Sequence, residues 1–252
     1  MSAIAVLDAE RIKLSTTVSV LWTSVATAVL SLGLAALQGS TAYGAAPLAP
    51  EKAVTGVVVL GVPVLMILAA MTITGEYRSG MIRTTFMATP NRTMVLIAKA
   101  TVSAVFSAVF AVLMTMGAVV AARLASPPLV GTHLSLADTR AWRLMLAIAV
   151  FAVLAAVLGV GVAALLRHSA GAVAVLLLWP LLVEPVLGNL PNIGSEIGPY
   201  LPFANVFRFL DVQWLFPVYA MPWGELGSLA YFAVVAAVVF VAAVLVVNRR
   251  DA

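Results

Sequence analysis

The sequence contains no cysteine and only two histidines, and just 10% of its 252 residues carry a formal charge. The first absence excludes disulfides, thiolate metal sites and cysteine nucleophiles. The second leaves little for a histidine metal cluster, since His133 and His168 are far apart in the chain. The scarcity of charge, against ~25% in ordinary soluble domains, argues against a soluble globular protein. No GxxxxGK[ST] phosphate cradle occurs, so the chain does not bind ATP in the P-loop manner by itself. No GxSxG elbow occurs either, and both histidines fall at expected membrane borders, which argues against an intramembrane hydrolase. A pI near 9.8 is in the range of nucleic-acid binders, but the net charge is only +4 and no basic stretch is interleaved with stacking aromatics.

The sequence does have long charge-free runs. A helix needs about 20 mostly apolar residues to cross ~30 Å of hydrocarbon. Leu14–Pro50, Ala53–Gly75, Ala100–Ala122, Leu144–Leu166 and Leu226–Asn248 contain no charge, and each of the last four is 23 residues long. A sixth apolar stretch, Gly171–Leu190, is interrupted only by Glu184, which is flanked by Pro180 and Pro185. The expectation is one all-α integral membrane domain over residues 1–252, with spans at about 17–37, 54–75, 100–122, 144–166, 171–190 and 228–247. Residues 1–16 precede them. There Ile4, Leu7, Arg11 and Leu14 recur at helical spacing with Asp8, Glu10 and Lys13 around the cylinder, the pattern of an interfacial amphipathic helix.

The cations give an orientation. With a cytoplasmic N-terminus, Arg11, Lys13, Arg78, Arg83, Arg92, Lys99, Arg167, Arg249 and Arg250 lie inside, and Lys52, Arg123, Arg140, Arg143 and Arg208 lie outside. Nine against five favours both termini in the cytoplasm of a multi-pass plasma-membrane protein. Asp8 and Glu10 make a cleaved secretory signal a poor reading of the start. The last outer connection, Pro191–Gly227, is rich in Pro, Gly and aromatics yet apolar over Val206–Leu210 and Val212–Ala220, as expected of a segment re-entering the outer leaflet.

The loop between the second and third spans, Gly75–Ala100, holds four cations and one acid. Within it, Ser79–Ala88 is expected to form a short helix exposing Arg83 while Met81, Ile82, Phe86 and Met87 pack inward, with Pro90 stopping it and Asn91 supporting a turn. Such a helix is a docking knob. The order of residues here, Glu76 closing one span, then Arg78, Ser79, Gly80, an amphipathic stretch, Thr89, Pro90, Arg92, and Lys99 opening the next, resembles an ABC type-2 exporter permease. One departure is Met81, where many such permeases carry Thr after the glycine.

The resemblance extends over nearly the whole chain: an N-terminal interfacial helix, six spans, a cytoplasmic coupling helix between spans two and three, and an outer re-entrant segment before span six. It implies a permease subunit that dimerises with a second copy or a related permease, in contact with membrane lipid. A separate P-loop ATPase subunit would supply ATP and Mg. The coupling residues it implies are Glu76, Arg78, Gly80, Arg83, Pro90, Arg92 and Lys99.

Glu184 is the other candidate, because an ionisable group inside a span defaults to a functional hypothesis. It lies about 20 Å along its span at ~1.5 Å per residue. That places it in the outer half, where an ion pair with Arg208 or Arg143 is expected and substrate contact is the sharper reading. Pro63, Leu65 and Met66 sit mid-span and are candidates to line a pathway. Ser103, Ser107 and Ala111, and Gly159 with Ala163, recur every four residues and suit close helix packing. The leading function is export of an amphiphilic or hydrophobic cargo such as a drug, lipid or peptide. The alternatives are an autonomous gradient-driven carrier, for which only Glu184 is a suitable intramembrane charge, and a non-transporting anchor for an ATPase.

Overall fold

The computed structural model describes residues 2–42, 47–214 and 216–249. Arg250 and the side chain of His133 lie outside that description. The described residues are helical with no strand, and six helices are long and apolar enough to cross a membrane. In lipid this is the expected outcome, because a helix satisfies its own backbone polar groups where no water can.

The chain starts with α1 (Ala3–Thr16), capped by Ser2, whose side chain accepts from Ala5 N. Thr17 adopts an extended conformation and breaks the helix, making an elbow into α2 (Val18–Ser40). There follow α3 (Pro50–Ser79), the short α4 (Met81–Ala88), α5 (Arg92–Ala125), α6 (Thr139–Leu166), α7 (Ser169–Gly188), a second short helix α8 (Pro202–Phe209), and α9 (Glu225–Arg249). The six long helices alternate in direction. The end carrying α1 and α4 is termed basal, and the end carrying α8 apical.

Two helices form the centre. In their most apolar windows α3 is 72% buried and α6 61%, whereas α2 and α9 are only 17% and 22% buried and present wide apolar faces outward. α6 packs against α3, α5 and α9, and α2 lies against α5. Small residues set these distances. A Cβ on Gly159 of α6 would lie 2.4 Å from the Met66 carbonyl oxygen of α3, and one on Gly39 of α2 would lie 2.3 Å from the Ala122 carbonyl oxygen of α5. Ser103, Ser107 and Ala111 are buried along α5.

Both α3 and α7 contain a π-helical turn, Val57–Gly61 and Trp179–Val183. Each ends two residues before a proline, Pro63 or Pro185. The proline ring clashes with the carbonyl four residues back, and widening the turn to an i→i+5 bond relieves that clash without interrupting the span. The Val62 N–H accordingly donates to the Val57 carbonyl and the Glu184 N–H to that of Trp179.

Three helix boundaries depart from the charge pattern. α5 begins at Arg92, well before the charge-free window, so Lys99 lies two turns inside the helix. Its charge is neutralised within the bundle and so does not mark the span's end. α4 starts at Met81, and its inward face is Ile82 and Phe86 alone; Met81 is 48% exposed and Met87 80%. In the apical segment the helix covers Pro202–Phe209, and the described part of Val212–Ala220 has no regular structure.

The Gly159 contact has a measurable consequence. Gly159→Ala forces α3 and α6 apart and should destabilise the protein by about 1–3 kcal/mol, as overpacking does. Gly33→Ala, with open space at its Cβ position inside α2, should not destabilise the protein and should stabilise it by up to about 1 kcal/mol, the helix-propensity difference. Thermal denaturation in one detergent, followed by tryptophan fluorescence, compares the two.

Candidate functional site

The basal site is assembled where α3 turns into α4. Gly80 caps α3 with φ +72°, in the left-handed region that favours glycine, and this lets α4 start after a single residue. Pro90 follows the helix, and Asn91 caps α5 by accepting from Met94 N at 3.0 Å. α4 is therefore a short arm held between two spans. Its Ile82 and Phe86 are buried against the bundle, while Arg83 and Met87 face outward.

Beneath α4 lies a closed set of charges. Lys99 of α5, 1% exposed at its side chain, donates to Glu10 Oε2 of α1 at 2.7 Å, Glu76 Oε1 of α3 at 2.8 Å and the Thr72 carbonyl at 3.1 Å. Its three N–H donors are all used. Lys13 of α1 donates to Glu10 Oε1 at 2.9 Å and Glu76 Oε1 at 2.8 Å. The second oxygen of Glu76 accepts from the Thr85 hydroxyl of α4 at 3.3 Å. Two carboxylates and two ammoniums thus cancel, and they join α1, α3, α4 and α5. Burial lowers the Lys13 pKa, but hydrogen bonds to Glu76 and Glu10 outweigh it and leave the group above its ordinary value. Lys13 therefore stays charged across the physiological range.

Two arginines extend the joint. Arg92 donates to the Val247 carbonyl of α9 at 2.9 Å and lies 5.2 Å from the centroid of the Phe86 ring, tying α4 to the last helix. Arg167, the left-handed residue closing α6, stacks 5.2 Å over Tyr77 of α3. Cation–π contacts of this kind contribute about 0.5–2 kcal/mol each.

Residues 6–181, well over half of the chain, match the family model described as ABC-2 family transporter protein. The chain belongs to the ABC-2 transporter family. No curated protein matches it. Permeases of this family are membrane subunits of transporters, not catalysts, and generally pair with an ATP-binding subunit. The match takes in α1 through most of α7, and hence all the members of the basal cluster; Glu184 lies beyond it.

Of the residues singled out in the sequence, Glu76, Arg78, Gly80, Arg83, Pro90, Arg92 and Lys99 all fall at the basal end of this ABC-2 protein, around α4. Arg78 and Arg83 are exposed, Arg92 is partly buried, and Glu76 and Lys99 are buried. The unforeseen members are Glu10, Lys13 and Thr85. Glu10 had a readable signal: Val6, Glu10 and Lys13 share one helical face, and that face, not the Ile4 and Leu7 face, carries the buried residues Val6 and Glu10.

Glu184 is fully buried, and the expected ion pair is absent. Its Oε1 accepts from the Trp179 indole at 2.8 Å, and its Oε2 from the backbone N–H groups of Phe203 at 2.8 Å and Ala204 at 3.1 Å. These are free donors of the first turn of α8, which a carboxylate satisfies as a cap supplied from another helix. Arg143 instead pairs with Glu225 on the surface, and Arg208 donates to the Tyr219 carbonyl. Three N–H donors do for this carboxylate what a cation was expected to do. α8 is held further by the edge-to-face cluster of Phe203, Phe151 and Phe232.

Pro63, Leu65 and Met66 are buried in the packed centre, with the Met66 backbone against Gly159, so they line no open path in this conformation.

Removing one partner of a buried ion cluster leaves an uncompensated charge. Lys99→Met should lower stability by about 3–5 kcal/mol. Adding Glu10→Gln and Glu76→Gln to it should recover a large part of that loss. Chemical denaturation of the single and triple variants in micelles measures both.

Proposed function

We propose that this ABC-2 family protein is the membrane permease subunit of an ATP-driven exporter, with α4 as the element on which a separate ATPase subunit bears. The observation that carries the reading is the arrangement of α4 itself. It is anchored on one face by Ile82 and Phe86, open on the other at Arg83 and Met87, and bonded through Thr85 to a carboxylate shared by α1, α3 and α5. Force applied to such an arm passes into several helices at once. The basal end, where Arg11, Lys13, Arg78, Arg83, Arg92, Lys99, Arg167 and Arg249 gather, is the cytoplasmic one by the positive-inside rule.

With no P-loop in its own sequence, the chain takes its energy from ATP and Mg bound by the partner. A second copy or a related permease completes the path. The cargo is amphiphilic or hydrophobic. An apolar groove of about 560 Å³ between α5, α6 and α9, lined by Val105, Val109, Val153, Val157 and Phe240 among others, supports that reading.

Purification from the native membrane should yield a stoichiometric P-loop ATPase and vanadate-sensitive hydrolysis. Gly80→Trp places a side chain where the backbone is left-handed and strains the α3–α4 joint. In vesicles it should lower cargo flux per ATP hydrolysed by about tenfold, within the range of typical coupling free energies. Unchanged flux per ATP, or a lone bundle with no ATPase, would contradict the reading and leave a gradient-driven carrier.

A further inference from the structure

A cleft of about 560 Å³ opens beside the basal charge cluster, between the α1–α2 elbow, the last turns of α3 and the start of α5. Its volume is that of a ligand site. The lining is divided by chemistry. Leu68, Met71, Val102, Val18 and Met81 make an apolar wall, and three of them, Met71, Val18 and Met81, are exposed at 38%, 68% and 48%. The polar side carries Glu10, Glu76, Lys13, Lys99 and Arg78.

The two carboxylates are consumed by the two lysines. What remains is positive: Lys13 has used two of its three N–H donors, and Arg78, exposed at the edge, has no hydrogen-bond or ion-pair partner among the described residues. A third group points the same way. Ser103 lines the cleft one turn from Lys99, is 3% exposed, and its hydroxyl has no hydrogen-bond partner among the described residues. A buried hydroxyl without a partner is costly, and an oxygen-rich headgroup reaching the cleft floor would satisfy it.

We propose that this cleft binds one anionic phospholipid from the leaflet at the basal end, its phosphate held by Arg78 and Lys13, its polar head reaching Ser103, and its acyl chains lying along Met71, Val18 and Val102. Arginine suits the task because its planar fork meets a phosphate bidentately. The site does not depend on an ATPase partner, so its test is one of binding and not of transport.

The full-length chain in mild detergent is titrated with dioleoyl phosphatidylglycerol, dioleoyl phosphatidylcholine and inorganic phosphate, and bound species are counted by native mass spectrometry. One phosphatidylglycerol per chain should be held about tenfold more tightly than phosphatidylcholine, a difference of about 1.4 kcal/mol. Arg78→Ala should remove that preference and Arg78→Lys restore part of it. Ser103→Ala, which removes the hydroxyl without adding bulk at this buried position, should weaken phosphatidylglycerol binding with the melting temperature unchanged. Should Ser103→Ala fail to fold, Arg78→Ala decides alone, because Arg78 is exposed and has no hydrogen-bond or ion-pair partner among the described residues. Equal binding of the two lipids, or a preference that survives Arg78→Ala, overturns the proposal. Displacement of the lipid by an equal concentration of inorganic phosphate also overturns it and assigns the site to a soluble anion.

Discussion

An ammonium group inside a low-dielectric bundle has to be compensated, and Lys99 is compensated from three directions at once. That requirement organises the basal end of the protein. To reach Lys99, Glu10 must bring α1 against the bundle, and Glu76 must stand at the last turns of α3. Because Glu76 also accepts from Thr85, α4 is drawn into the same unit. The short helix is thus held both by its own apolar face, Ile82 and Phe86, and by a hydrogen bond to the carboxylate that compensates Lys99.

The apical end uses the same principle with different donors. Glu184 is a buried carboxylate, and the compensation comes from two backbone N–H groups and an indole. The result is that α8, whose own eight residues are too few to form a stable helix in isolation, is fixed to α7. Asn205 completes the arrangement: it donates to the Pro199 and Leu201 carbonyls and accepts from Trp223. Lys99 thus holds α1 against α3 and α5 at the basal end, and Glu184 holds α8 against α7 at the apical end.

The membrane architecture was readable because charge-free length is a direct physical requirement of crossing hydrocarbon. The stop at Pro90 is readable for the same kind of reason, since proline has a fixed backbone consequence, whereas the helix expected over Ser79–Ala88 runs through Gly80, where the chain turns in the left-handed region. The cluster was not readable as a whole. Glu10 and Lys99 are separated by 89 positions, and nothing local says that an acid on an N-terminal helix will meet a lysine on the third span. In the charge pattern Lys99 reads as a border residue, because an isolated lysine beside an apolar run usually is one. Glu184 stands out in the sequence as a charge inside a span, but two of its three partners are main-chain donors, which sequence does not mark. The π-helical turns follow from Pro63 and Pro185 only once each helix is known to continue through its proline.

If the basal cluster is the joint described, α1 and α4 move as one body. The absence of cysteine makes this directly measurable by spin labels at Ile4→Cys and Met87→Cys, positions that are 73% and 80% exposed. The distance between them would be recorded by pulsed electron resonance in the complex with its ATPase, before nucleotide and after vanadate trapping. With the doubly labelled chain diluted into unlabelled protein, so that only the distance within one chain is read, a narrow distance that is the same in both states is the predicted result. A distance that shifts or broadens on trapping would mean that α4 moves independently of α1, and would contradict the account.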